Sequence, residues 1–148
     1  MEKMHIDAGR LFAVALPASW EKIDPRDGGS SAASSVTWRS QGQNEAGQPT
    51  AMFRAVSRPP AVAGGGFDHL EKKFFDERPG IEKISSATAQ VSGYPARRII
   101  GRFAGRQALV VFITSYKRAF TLEFTCQAEA FDAYRPLFEE ILQSFQVL

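Results

Sequence analysis

The stretch Q-A-L-V-V-F-I-T-S-Y at residues 107–116, followed by A-F-T-L-E-F-T-C-Q at residues 119–127, decides the fold. In the first segment apolar side chains fall on both faces of a strand, which indicates that both faces are covered. The second segment alternates Phe120, Leu122, Phe124 and Cys126 with Thr121, Glu123, Thr125 and Gln127. That period of two is typical of a half-buried strand. The two segments therefore predict strands of a sheet that has other elements on both sides.

Outward from these strands, the pattern predicts five more strands and two helices. The strands are expected at residues 10–16, 36–39, 50–56, 84–91 and 96–103. Helices are expected at residues 67–78 and 131–145, where apolar side chains recur at helical spacing. The sheet and the last helix should share one core, made of Val111, Phe120, Leu122, Phe124, Ile141, Leu142 and Phe145. The chain is thus predicted to be an α+β domain.

Proline, glycine and small polar residues predict where these elements end. Loops are expected at residues 27–35 and 40–49, a linker at residues 64–66, and a turn at residues 93–95. Trp20 should fill the space after the turn at Pro17. Pro136 is awkward inside a helix, so either a turn over residues 130–135 precedes a helix that starts near Pro136, or the helix kinks there.

Length and composition favour one domain over residues 1–148, with 44% hydrophobic residues for its core. They exclude wholesale disorder and collagen-like repeats. A single cysteine, Cys126, excludes an intramolecular disulfide, and no apolar run is long enough to span a bilayer. The N-terminus lacks the apolar core of a signal peptide. The chain as it stands is therefore expected to be cytoplasmic, or periplasmic or envelope-associated if a leader has been removed.

Motifs for catalysis and for metal or cofactor binding are absent from the sequence. There is no G-x-S-x-G, no phosphate-binding G-x-x-x-x-G-K-[ST] and no G-x-G-x-x-G. His5 is expected in a frayed terminus and His69 in solvent, so a zinc site is not predicted. Cys126 lies on the apolar face of its strand and is expected to be a buried, inert thiol. The pairs Glu139-Glu140 and Asp76-Glu77 are interpreted as solvated helix faces. We therefore expect no enzyme activity and no cofactor.

The charge distribution has one unusual feature. Residues 83–122 contain no Asp or Glu but hold seven of the 18 basic residues. One interpretation is a surface for an acidic partner, made of Arg98, Arg102 and Arg106 with Lys117 or Arg118 at the far hairpin end. The other is that these side chains only protect strand edges against aggregation. Nucleic acid is not expected as a partner, because the formal net charge is only +2.

Several local patterns resemble one known superfamily. They are F-A-V-A-L-P at residues 12–17 with Trp20, G-Y-P-A at 93–96, R-A-F-T-L-E-F at 118–124, and the last helix ending in I-L-Q-S-F at 141–145. Together they resemble the PsbP/DcrB/Mog superfamily. The resemblance implies an antiparallel sheet between helices, an α/β/α sandwich. It also implies a mostly non-enzymatic role, since that superfamily includes extrinsic photosystem II proteins, bacterial lipoproteins, a Ran-binding protein and secretion-effector chaperones, with no shared catalytic residues.

Three functional hypotheses follow. The first is a non-catalytic bacterial binding or accessory module with a protein partner, an acidic one if the basic side chains form its binding surface. A more specific version is a chaperone for type VI secretion effectors, which would need an exposed apolar groove. The second is a small-ligand carrier with a pocket between the sheet and the first helix. The third and least favoured is an enzyme with an unrecognised site. The sequence leaves the oligomeric state open.

Overall fold

The computed structural model describes residues 2–23, 34–40, 50–59, 66–115 and 118–148. Its strands are β1 (Glu2–Asp7), β2 (Phe12–Pro17), β3 (Glu21–Ile23), β4 (Ser34–Arg39), β5 (Ala51–Arg58), β6 (Glu82–Val91), β7 (Tyr94–Phe103), β8 (Arg106–Thr114), β9 (Ala119–Gln127) and β10 (Gln146–Val147). Its helices are α1 (Gly66–Glu77) and α2 (Phe131–Ser144), and a short 3-10 turn, Ala128–Ala130, precedes α2. Neither helix is long and apolar enough to span a bilayer.

The main sheet has seven strands in the order β3-β4-β5-β9-β8-β7-β6, and all the pairings are antiparallel. The strands β8 and β9, which carry the two decisive segments, lie inside this sheet. A smaller sheet of order β1-β2-β10 is also antiparallel. The prediction of an α+β fold with an antiparallel sheet is therefore confirmed.

The two faces of the main sheet are covered by different elements. On one, here called the α1 face, Leu70 and Phe74 of α1 pack against Val110 and Phe112 of β8. On the other, the α2 face, α2 and the small sheet enclose the larger core. That core contains all the residues predicted for it: Val111, Phe120, Leu122, Phe124, Ile141, Leu142 and Phe145. Cover on both faces explains why β8 is apolar on both sides.

One polar contact joins α2 to the small sheet. The Ser144 hydroxyl accepts a hydrogen bond from the backbone N–H of Ala15 at 2.9 Å and donates to the Ile141 carbonyl at 2.6 Å. The neighbouring Phe145 ring packs on Phe12 and Phe120. The last turn of α2 is thereby attached to β2. Trp20 is buried in the same core, as predicted.

Two tight turns set the register of β6, β7 and β8. Ser92-Gly93 and Ala104-Gly105 all have positive φ, from 46° to 82°. Positive φ at both central residues is the geometry of a two-residue hairpin turn. The first turn is therefore Ser92-Gly93 and not residues 93–95, because Tyr94 and Pro95 already belong to β7.

Several expectations about local structure are wrong. The terminus around His5 forms strand β1, which pairs with β2 over its whole length. The short strands β3 and β10 were also not predicted. All three are mostly exposed, so pairing holds them in place and no apolar alternation marks them. The helix α2 starts at Phe131 and contains Pro136, so a helix that starts only near Pro136 is excluded.

The predicted loops lie mostly outside the described residues. This applies to most of residues 27–35, to 41–49, and to residues 64 and 65 of the predicted linker. Residues 34 and 35 belong to β4, and Gly66 already begins α1.

The polar side of β9 also differs from the expectation of a half-exposed strand. Thr121, Glu123 and Thr125 are all buried on the α1 face. The strand lies between β5 and β8 in the middle of the sheet, where side chains from neighbouring elements reach over both of its faces. A buried carboxylate needs a partner, and the partner of Glu123 is Arg78.

Candidate functional site

A cavity of about 310 Å³ opens on the α1 face beside the helix. The strands β4, β5, β7, β8 and β9 form its floor, and the residue after α1 forms part of its wall. Its lining residues are Thr37, Met52, Arg54, Arg78, Phe103, Arg106, Glu123 and Thr125. Three arginines and one glutamate therefore line one small space, together with uncharged threonine, methionine and phenylalanine side chains.

Arg78 and Glu123 form the best-satisfied pair in this cavity. The two terminal nitrogens of Arg78 donate to the two carboxylate oxygens of Glu123, each at 2.8 Å. Arg78 follows α1 directly, and its guanidinium also lies 5.5 Å from the ring centroid of Phe74. Such a planar two-bond pair is the strongest geometry available to arginine and a carboxylate. Both carboxylate oxygens of Glu123 are thereby engaged by Arg78.

Arg106 is the unusual residue of the site. It is the first residue of β8, directly after the Ala104-Gly105 turn, and only 9% of its surface is exposed. Within the described residues, both of its terminal nitrogens are shielded from solvent and have no hydrogen-bond partner. Buried polar groups are nearly always hydrogen-bonded, and an unpaired buried charge is costly. This end of the cavity therefore favours a ligand group that accepts hydrogen bonds.

Arg54 is the third cation. It lies opposite Glu123 in the register of β5 and β9. Burial lowers the pKa of Arg54, the charges of Arg78 and Arg58 lower it further, and the carboxylates of Glu123 and Glu77 oppose them. Within the described part of the chain, no carboxylate oxygen lies within ion-pair distance of Arg54 or of Arg106. The cavity thus has an excess of positive charge.

The structure does not bring the predicted basic cluster together. Arg98 and Arg102 lie on the α2 face, opposite Val111 and Gln107 of β8. Arg106 lies on the α1 face, because the two-residue turn pairs it with Phe103 and paired residues share a face. The expected group of Arg98, Arg102 and Arg106 is therefore divided between the two faces of the sheet.

The other members of the predicted surface are separated too. Arg98 donates to the Glu139 carboxylate of α2 at 2.5 Å, so Glu139 is not part of a free solvated face. Arg102 is exposed and donates a hydrogen bond to the Gln107 side chain at 3.4 Å. Arg118 donates from Nε to the Ser57 hydroxyl at 2.8 Å. Lys117 lies outside the described residues. A partner-binding role for these side chains stays a prediction.

Acidic side chains of α1 pair with two of the basic side chains in the acid-free segment, residues 83–122. Arg97 donates to Asp68 at 2.8 Å and lies 3.4 Å from Glu71. Its pKa is raised, mainly by the hydrogen bond from Arg97 to Asp68. Lys83 also pairs with Glu71, at 3.1 Å. The charge excess that the sequence shows along residues 83–122 is therefore partly neutralised in three dimensions.

Sequence reasoning missed Arg54, Arg78 and Glu123. Arg54 and Arg78 lie outside the acid-free segment, and Glu123 was assigned to a solvated face. One signal was available: a strand that neighbours the doubly apolar residues 107–116 should itself be covered on both faces. A charged residue in such a strand is expected to be buried and paired.

The remaining reactive side chains do not converge on a site. Cys126 is fully buried on the α2 face, and burial raises the pKa of its thiol to about 11. His69 is exposed, as predicted. The His5 ring lies 5.2 Å from that of Trp38, and burial, with Lys3 and Lys22, lowers the pKa of His5. Across the described ranges no three His, Cys, Asp or Glu side chains cluster as metal ligands would.

Comparison with known proteins identifies the fold. No protein-family model and no curated protein matches the sequence. Among solved structures, the solution structure of cyanobacterial PsbP from Synechocystis matches with a TM-score of 0.75 at 16% identity, over 99% of this chain and 92% of that one. LpqN of Mycobacterium tuberculosis, a protein involved in cell envelope biogenesis, matches with a TM-score of 0.62 at 9% identity, over 92% of this chain and 82% of that one.

A third structure extends the same group. PA94 of Pseudomonas aeruginosa, a protein of unknown function, matches with a TM-score of 0.60 at 10% identity, over 97% of this chain and 94% of that one. These similarities cover nearly the whole chain, although identity is low. They confirm the resemblance inferred from the motifs around Trp20, Gly93 and Phe145. The chain therefore has a PsbP-like fold.

Proposed function

We propose that this protein is a non-catalytic binding module whose cavity beside α1 receives an anionic group of its ligand. The observation that supports this is the buried guanidinium of Arg106, for whose two terminal nitrogens the described part of the chain provides no acceptor. It lines a cavity in which Arg54 also has no ion-pair partner among the described residues. An anion that enters the cavity supplies the missing acceptor.

Arginine is the residue type suited to this task. Its planar fork donates two parallel hydrogen bonds to a carboxylate or phosphate group. In a partly buried site such bonds are stronger than in water, because the local dielectric constant is lower. The terminal nitrogens of Arg106 are covered in the present arrangement, so the side chain must rotate toward the cavity when the anion binds.

The position of the cavity bears on the earlier hypotheses. A pocket between the sheet and the first helix is what a small-ligand carrier requires, and this cavity lies on that side of the sheet. An acidic side chain of a protein partner is the alternative occupant. A chaperone role would need an apolar groove instead. That role, the bacterial source, and the cytoplasmic or envelope location all stay predictions.

The test is a titration of the isotope-labelled protein with simple anions at constant ionic strength. Benzoate, phenyl sulfate and phenyl phosphate are added separately, and backbone amide shifts are followed by NMR. At least one anion should shift residues of β5, β8 and β9 around the cavity. The variant Arg106→Met should lose at least about tenfold in affinity, the loss expected for a charge-assisted hydrogen-bonded pair.

The matched control is Arg102→Met. Arg102 belongs to the same hairpin but is exposed and lies on the opposite face. This variant should bind like the parent. Arg106→Met should also be at least as stable as the parent, because it removes an unpaired buried charge, so lost binding would not reflect lost folding. Equal affinities for the two variants, or no anion-dependent shifts at the cavity, would refute the proposal.

A further inference from the structure

We infer that the anion is a dianionic phosphate group on a small organic molecule, that is, a small phosphomonoester; this rests on the proposed function. The charges of the cavity give the first reason. Three arginines and one glutamate line it. Arg78 and Glu123 neutralise each other through two hydrogen bonds. Two positive charges, those of Arg54 and Arg106, are left for the ligand.

A singly charged ligand would leave one of these guanidinium groups uncompensated. The cost of a buried charge without a partner is large. A phosphomonoester carries close to two negative charges above its second pKa of about 6. Its three terminal oxygens can accept from the fork of Arg106 and from Arg54 at the same time. The charge count therefore selects a dianion over a simple carboxylate or a sulfate ester.

The size and the lining of the cavity give the second reason. A volume of about 310 Å³ equals that of roughly ten water molecules in the liquid. This exceeds what a bare phosphate needs and leaves room for an organic body. Met52 and Phe103 provide apolar surface, and the hydroxyl groups of Thr37 and Thr125 provide hydrogen bonds. Such a mixture of apolar walls and a few polar groups is typical of small-molecule sites.

Glu123 has a defined part in this selection. Its carboxylate neutralises the guanidinium of Arg78, so the lining residues of the cavity keep a net charge of +2, from Arg54 and Arg106. Glu123→Gln removes the negative charge but keeps the shape of the side chain. We therefore expect Glu123→Gln to bind any anion more tightly than the parent and to discriminate less between singly and doubly charged ligands.

The experiment compares ligands of the same shape and different charge. Phenyl phosphate and phenyl sulfate are titrated calorimetrically at about pH 8, where the phosphate is a dianion, with benzoate and inorganic phosphate as further probes. Phenyl phosphate should bind at least about tenfold more tightly than phenyl sulfate, because one more charge pair forms in a site of low dielectric constant. It should also bind more tightly than inorganic phosphate, which lacks the organic body.

The possible outcomes separate the two proposals. Equal affinity for phenyl sulfate and phenyl phosphate, with both lost in Arg106→Met, would overturn the dianion assignment and leave the anion-binding function intact. No binding of any anion would overturn both. Tighter binding of a phosphotyrosyl peptide than of phenyl phosphate would identify a modified protein as the source of the phosphate and overturn the small-molecule assignment.

Discussion

Replacing Arg78 by methionine tests whether the polar side of β9 is truly buried. The change keeps most of the apolar stem and removes the fork that holds Glu123. The Glu123 side chain is 6% exposed, and that of Arg78 is 31% exposed. In Arg78→Met the Glu123 carboxylate would stay out of water and lose both of its hydrogen bonds to Arg78.

The size of the effect follows from this geometry. Breaking a buried ion pair by removing one partner costs about 3–5 kcal/mol. The cost should be smaller here, because Arg78 is almost one-third exposed and the Arg54 charge opposes part of the loss. We expect the free energy of unfolding to fall by about 2–3 kcal/mol. For a chain of this length that corresponds to a decrease in Tm of about 5–10 °C.

The assay is urea unfolding followed by circular dichroism, applied to a double-mutant cycle of Arg78→Met and Glu123→Gln. The double variant should be less destabilised than the sum of the single changes, since neither group is then left unpaired. The control is Lys72→Met, which breaks the exposed pair of Lys72 and Asp76 on α1. Exposed pairs of this kind contribute about 0–1 kcal/mol, so the control should change stability very little.

A loss in Arg78→Met no larger than in Lys72→Met would refute this reasoning. It would mean that Glu123 is hydrated in solution and that its partner contributes as little as a surface ion pair does. Water would then solvate the charges of Arg54 and Arg106 in the cavity, and these charges would need no compensation by a ligand. The preference for a dianion would lose its physical basis.

Two further predictions concern Cys126 and Arg98. Burial raises the pKa of the Cys126 thiol from 9.0 to about 11. At about pH 8, native protein should therefore react with a thiol reagent at least about 100-fold more slowly than protein unfolded in urea. Fast labelling of the native protein would contradict this. The raised pKa also means that stability is full below about pH 9 and declines as the pH rises toward 11; Cys126→Ala should show a flatter decline. Arg98→Glu would place a carboxylate against Glu139 of α2 and should lower the free energy of unfolding by about 1 kcal/mol, whereas the control Arg102→Glu should lower it by almost nothing. Restored stability in Arg98→Glu/Glu139→Arg would support the ion pair. Equal stability of Arg98→Glu and Arg102→Glu would exclude it.

The sequence by itself determined the elements that are held by local periodicity. The alternation over residues 119–127 and the doubly apolar segment 107–116 identified two inner strands, and helical spacing identified α1 and α2. These signals are strong because a buried face requires apolar side chains at a fixed period. They also sufficed to select the core around Phe124, whereas the PsbP-like fold was expected only from the resemblance of local motifs. In contrast, β1, β3 and β10 depend on pairing with a neighbouring strand, which leaves no periodic pattern in a mostly exposed segment.

Only the tertiary structure decided which charges meet. Along the chain Arg98, Arg102 and Arg106 look like one basic group, but the two-residue turn at Ala104-Gly105 puts Arg106 on the other face of the sheet. Acids from α1 and α2, distant in sequence, neutralise Arg97 and Arg98. Arg54 and Glu123 come from β5 and β9, and Arg78 directly follows α1. The strand order and the packing of α1 on β8 together bring them to Arg106. Charge complementarity acts through space over several ångströms, so a count along the sequence cannot determine it, whereas burial follows a period that the sequence displays.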